Sequence, residues 1–81
     1  MKAIVLIRLK DEVTDAPGRV VSQRLVEMGY TEVTAVRIGK VIELELESAD
    51  REAEIARVER MCKELLANQA VEEFEILSVE E

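Results

Sequence analysis

An α+β fold of element order β-α-β(-β)-α-β is predicted by three patterns in this 81-residue chain. From 36 to 46 apolar residues hold every even position except Lys40, while the odd positions carry Arg37, Gly39, Val41 and glutamates. A period of two held that long marks a strand with one face buried and one wet. Two other stretches, 21–28 and 55–66, set apolar residues three and four apart, which is helical spacing. An apolar run at 3–7 opens the chain and a strand-like stretch at 71–79, with Phe74 and Ile76 on one face, closes it, so strands bracket the helices, and both helices are expected on one face of a small sheet.

The first strand is predicted over residues 2–9. Positions 3–7 are apolar throughout, which predicts burial on both faces, as a central strand or one covered by a partner. Residues 10–14 form a polar connection. Asp15 then caps a helix, with Pro17 early enough that its missing N–H costs little. Val21, Leu25 and Met28, at i, i+4 and i+7, predict its buried stripe. Gly29 is expected to end it in a left-handed cap, and Tyr30 to pack on the sheet.

A long bent central strand follows, from about 31 to 47. Counted from Val33 the extended run approaches ~15 residues, or roughly 50 Å at the usual strand rise. Strands usually hold ~3–10 residues, and a domain of this length has a radius of gyration near ~12 Å. The strand must therefore bend or break at Gly39, or leave the protomer and pair with a second chain. Ser48 or Asp50 caps the second helix, which is expected to reach about residue 67 with Ile55, Val58, Cys62, Leu65 and Leu66 on its apolar stripe. Glu59–Lys63 and Arg60–Glu64 are i,i+4 pairs on its outer surface. Asn68 suits the helix exit, and the closing strand carries Phe74 and Ile76 on one face.

Length and composition bound the function. The chain forms one domain, 1–81, of a size that buries only about 60% of its unfolded surface. It is 48% hydrophobic with one Tyr, one Phe and no Trp, so its core is aliphatic and offers few rings for stacking bases. A net charge of −7 argues against nucleic acid, whose phosphates require a basic footprint. Cys62 is the only cysteine and histidine is absent, which removes intrachain disulfides, CxxC motifs, and the commonest general base and metal ligand. The opening apolar run is too short for a signal peptide or a membrane span. A soluble, cytoplasmic protein without membrane contact is expected.

No catalytic constellation assembles from the remaining residues. Glu43, Glu45 and Glu47 share one face of one strand, ~7 Å apart at that spacing. Carboxylates in a row do not converge on a metal, so a solvated face is the plain reading and a docking face for a basic partner the functional one. Arg37 and Lys40 flank Gly39 as a basic pair in an acidic chain and suit either turn charges or a partner carboxylate. Cys62 lies in an apolar stripe with no His to activate it and reads as core. Asp11, Glu12 and Asp15 read as a solvated loop, and the turn at 15–18 is no phosphate cradle.

Several segments together resemble the PurS family, the small subunits of the three-component phosphoribosylformylglycinamidine synthase. They are Asp15-Ala16-Pro17-Gly18, Leu25-Val26-Glu27-Met28-Gly29-Tyr30, Val36-Arg37-Ile38-Gly39-Lys40-Val41-Ile42-Glu43-Leu44, and Met61-Cys62-Lys63-Glu64-Leu65-Leu66-Ala67-Asn68 with Val71-Glu72. The resemblance spans nearly the whole chain, and its specificity lies in the order and spacing of the pieces. In one respect the chain departs from the family, where proline directly follows the aspartate of the first turn; here it stands one place later, at Pro17.

The resemblance implies a ferredoxin-like element order with strands paired across a homodimer. It implies an assembly subunit without catalytic residues, bridging a glutaminase subunit and a large ATP-dependent synthetase subunit in purine biosynthesis. Glutamine, ATP and magnesium are then used by the complex and no cofactor is held by this subunit. Partner contacts are expected at Arg37, Gly39 and Lys40 and at Leu65, Leu66 and Asn68. The alternative is a free-standing regulatory domain that binds a small ligand, although residues 11–14 make a poor ligand turn. A tautomerase would need proline at position 2, where Lys2 stands, and an RNA-recognition domain would need strand aromatics and a basic face.

Overall fold

The computed structural model describes residues 1–80; Glu81, the last residue of the predicted domain, lies outside the described residues. The element order is β1 (Lys2–Leu9), α1 (Ala16–Glu27), β2 (Gly39–Glu45), α2 (Arg51–Met61), a π-helical turn (Cys62–Leu66) and β3 (Glu72–Glu80). The strands form one antiparallel sheet in the order β2-β1-β3. The uniformly apolar strand is thus the central one, as its composition predicts.

Register decides which side chains meet. Ala3, Val5 and Ile7 of β1 stand beside Leu44, Ile42 and Lys40 of β2, and beside Val79, Ile76 and Phe74 of β3. This face receives α2, and Ala3, Val5, Ile7, Val58, Cys62, Ala67 and Val79 form the buried core. A bulge between Ile4 and Val5 leaves Leu77 without a partner on β1. The extra residue keeps both Ile76 and Val79 on the core face, which strict alternation would forbid.

The predicted helix caps form. Asp50 accepts from the Ala53 N–H at 3.1 Å, and the Arg51 side chain donates to the Val79 carbonyl, fastening α2 to β3. Gly29 takes the left-handed conformation, φ 106°. Glu59 and Lys63 pair at 3.2 Å. Arg60 makes no ion pair with Glu64 among the described residues, and Arg57 instead meets Glu54 one turn earlier.

Three expectations are corrected. First, α1 does not lie on its own sheet. Val21 is exposed, Leu25 half-buried and Met28 68% exposed, and no α1 side chain enters the core. Tyr30 is likewise exposed rather than packed on the sheet. Second, the long strand is neither central nor continuous. It begins only at Gly39, as β2, and lies at the edge of the sheet beside the central β1; among the described residues, 31–38 join no ladder because no strand lies beside them. Third, Leu65 is 83% exposed instead of buried. The reason is the π-helical turn, in which the Ala67 N–H donates to the Cys62 carbonyl at 3.0 Å, five residues back. Three residues past Cys62 no longer complete a turn, so Leu65 swings outward while Leu66 and Ala67 take the inward places.

Candidate functional site

Gly39 and Lys40 lie at the end of the sheet where β3 begins, whereas Leu65, Leu66 and Asn68 make no hydrogen bond with them among the described residues. Gly39 stands opposite Arg8 at the end of β1, Arg8 stands opposite Glu73 of β3, and the Asn68 turn feeds directly into β3. A shallow hollow there of about 160 Å³ includes Gly39, Lys40 and Glu72 in its lining.

Asp15 organises this end. Its Oδ1 accepts from the Gly18 N–H at 2.9 Å, capping α1, and its Oδ2 accepts from the Ile38 N–H at 2.7 Å. These two bonds, Ile38 foremost, hold its carboxyl below the usual carboxylate range; desolvation opposes them, and the charge of Arg37 adds a lesser lowering effect. Gly18 is required by space, since a Cβ there would collide with the Val36 carbonyl oxygen. Gly39 is required likewise, because a Cβ would stand 2.5 Å from the Ile7 carbonyl oxygen. The first turn of α1, residues 36–38 and the end of β1 therefore close into a clasp from which the rest of α1 projects.

Arg37 belongs to that clasp. Its guanidinium donates to Asp11 and lies 3.8 Å from Glu73, which also accepts from Arg8 at 3.0 Å. Lys40 is exposed and has no ion-pair partner among the described residues, which leaves it as the basic group of this pair available to another protein. At the α2 end, Leu65 is outward, Leu66 packs against the core, and Asn68 accepts from the Ala70 N–H at 3.1 Å while its own N–H donates to Glu72. Asn68 thus shapes the entry to β3. Cys62 is fully buried, and burial, helped by the charge of Glu59, raises its thiol pKa. Among the described residues no three His, Cys, Asp or Glu side chains gather as ion ligands.

Comparison with known proteins adds to this geometry. The family model for PurS, described as phosphoribosylformylglycinamidine (FGAM) synthase, matches residues 2–80. The chain belongs to the PurS family. It is 42% identical over 73 residues to the phosphoribosylformylglycinamidine synthase subunit PurS of Bacillus subtilis, covering 90% of this chain and 86% of that one. The crystal structure of Methanocaldococcus jannaschii PurS, one of the subunits of formylglycinamide ribonucleotide amidotransferase in the purine biosynthetic pathway, superposes with a TM-score of 0.82 at 34% identity, covering 98% of both chains. A chain in the structure of PurLQS from Thermotoga maritima superposes at 0.81 with 31% identity, covering 98% of this chain and 99% of that one.

Membership of the PurS family bears out the α+β fold and the subunit function expected from the sequence. One feature of this PurS chain escaped the sequence reading: Asp15 binds the Ile38 amide as well as its own helix, which no local spacing announces. The burial expected on both faces of β1 is met on the α2 side alone, since among the described residues nothing covers the other face and Ile4 and Leu6 are half-buried.

Proposed function

We propose that this chain is the non-catalytic assembly subunit of phosphoribosylformylglycinamidine synthase. As a homodimer or larger oligomer in the cytoplasm it joins the glutaminase subunit to the ATP-dependent synthetase subunit. Glutamine, ATP and magnesium are handled by those partners. The observation that supports this reading is α1, whose apolar residues stand off their own sheet.

A second copy supplies what the protomer lacks. Among the described residues the outer edge of β2 has no neighbour, and residues 33–38, which run directly into β2, have no strand beside them. Pairing residues 33–38 of one copy with β2 of the other fills both edges at once and repeats by symmetry, since the two segments adjoin at Gly39. It also carries α1 onto the half-buried Ile42, Leu44 and Leu46 of the other copy. An exposed strand edge left open would otherwise template aggregation.

Rates of amidine formation test the bridging role. With glutamine as nitrogen donor, turnover by the glutaminase and synthetase should require this chain; with free ammonia it should require it far less. Equal glutamine-driven rates with and without it would end the proposal. Lys40→Glu is the informative substitution at the head of β2, because Arg37→Glu would also break the bonds to Asp11 and Glu73 inside the chain.

A further inference from the structure

We propose that the sheet face opposite α2 is a docking surface for an unlike subunit of the ligase, one presenting an apolar centre flanked by Lys and Arg. This rests on the assembly role proposed above and assigns a face to it. The register places Arg8, Leu6, Ile4 and Lys2 down the middle of this face. No helix of the protomer covers it, and Ile4 and Leu6 remain half-buried while Val41 and Leu77 beside them are 57% and 50% exposed.

Charge selects the occupant. Gly39, Val41, Glu43 and Glu45 line one side of the face, and Glu73, Glu75, Ser78 and Glu80 the other. The two central cations are engaged within the chain: Lys2 lies 3.8 Å from Glu43 and Arg8 3.0 Å from Glu73. Glu45 and Glu75, one on each flank, have no cation within ion-pair distance among the described residues. The face as a whole carries five carboxylates against two cations. Two copies laid face to face would bring like charge against like, which disfavours self-association here, whereas a basic-rimmed partner is attracted and oriented. The strand exchange between copies uses the β2 edge and the other face of the sheet, so this face stays open in the homodimer.

Shape agrees with an inserted partner. Two hollows open onto the face. One, of about 640 Å³ at the end of the sheet, has walls that include Lys2, Ile4, Glu45 and Ser78 and reach Met1 and Leu46 of the core side. The other, of about 270 Å³, has walls that include Leu6, Arg8, Glu73 and Glu75. Each pairs an aliphatic side chain of β1 with an unpaired carboxylate. A partner side chain with an apolar stem and a cationic tip satisfies both walls, as arginine and lysine do.

The test uses the full chain with purified glutaminase and synthetase subunits. Glu45→Lys/Glu75→Lys and, separately, Leu77→Ser are compared with wild type by titration into each subunit and into the pair, by sedimentation alone, and by thermal melting. The charge reversal should weaken incorporation into the complex by about tenfold or more and reverse its salt dependence. Leu77→Ser should weaken it at every salt concentration. Sedimentation and melting of both variants should match wild type. Unchanged incorporation of both variants would overturn the proposal, and so would loss of self-association, which would make this face a contact between copies. Wild type that binds neither subunit would remove the assembly reading as well, an outcome distinct from wild type and variants binding alike.

Discussion

A single carboxylate, Asp15, joins the helix to the strand that follows it, and its two oxygens do different things. Asp15→Asn keeps one acceptor oxygen but replaces the other with a donor, so it can hold the Gly18 amide or the Ile38 amide, not both. Hydrogen exchange should then show the Ile38 amide opening faster while Gly18 stays protected, and equal protection in both proteins would count against the clasp. Because the folded carboxyl titrates below its ordinary range, its contribution is complete above the unfolded carboxylate pKa and is lost only as pH falls through the folded value. Melting temperature should therefore show no pH dependence from Asp15 near neutrality, where Asp15→Ala should melt below wild type by the full contribution, and a pH dependence in acid that Asp15→Ala abolishes. Cys62 behaves in the opposite sense. Its thiol pKa is raised by burial, so stability should decline as pH rises above the ordinary thiol range of about 8.5. A thiol reagent should leave native Cys62 unmodified and label it on denaturation.

For single elements, periodicity was a good guide wherever the helix kept its ordinary pitch. Val58 and Cys62 are fully buried as their spacing predicts, and Phe74 and Ile76 share the core face. Leu65 failed that test because the turn at Cys62–Leu66 closes five residues back, a change of pitch that apolar spacing does not encode. The stripe of α1 failed differently. Val21, Leu25 and Met28 are spaced as a helix face, yet spacing states only that something covers a face, never that the cover belongs to the same chain. Charge pairing was equally opaque, since nothing in the sequence connects Arg37 with Asp11 and Glu73. The corrected assignment predicts that Val58→Asp unfolds the domain, placing an unpaired charge in the core. Leu65→Asp should change the melt by no more than about 0.5 kcal/mol, as surface substitutions do. Chemical denaturation of the two variants measures both, and a large loss from Leu65→Asp would return that side chain to an interface.

The molecule as a whole is too long for its mass. Its radius of gyration is 16.0 Å and its extents are 49 × 26 × 14 Å, where a compact domain of this length would have a radius near ~12 Å. That excess was anticipated by a strand too long for its own sheet, and the structure realises it as a projecting helix and an unpaired segment. Sedimentation at micromolar concentration should accordingly show no substantial species at 9.2 kDa. Melting temperature should rise with protein concentration, because association with a second copy stabilises only the folded state. A monomer with a concentration-independent melt would dismiss the exchange of α1.

The projecting helix also sets an order of events in time. An isolated helix of the length of α1, 12 residues, is marginal in water without a surface to lie on. The sheet and α2 can form within one chain, but in the proposed homodimer α1 would wait for its cover. Refolding should therefore proceed in two kinetic phases. The first is unimolecular and unaffected by dilution; the second is bimolecular, slows in proportion as the protein is diluted, and carries the remaining helical signal. If the proposed second copy is that cover, the same delay on the ribosome would leave Val21, Val26 and Met28 bare until a sister chain is released nearby. Polysomes, which crowd identical nascent chains together, are the setting in which that interval is shortest.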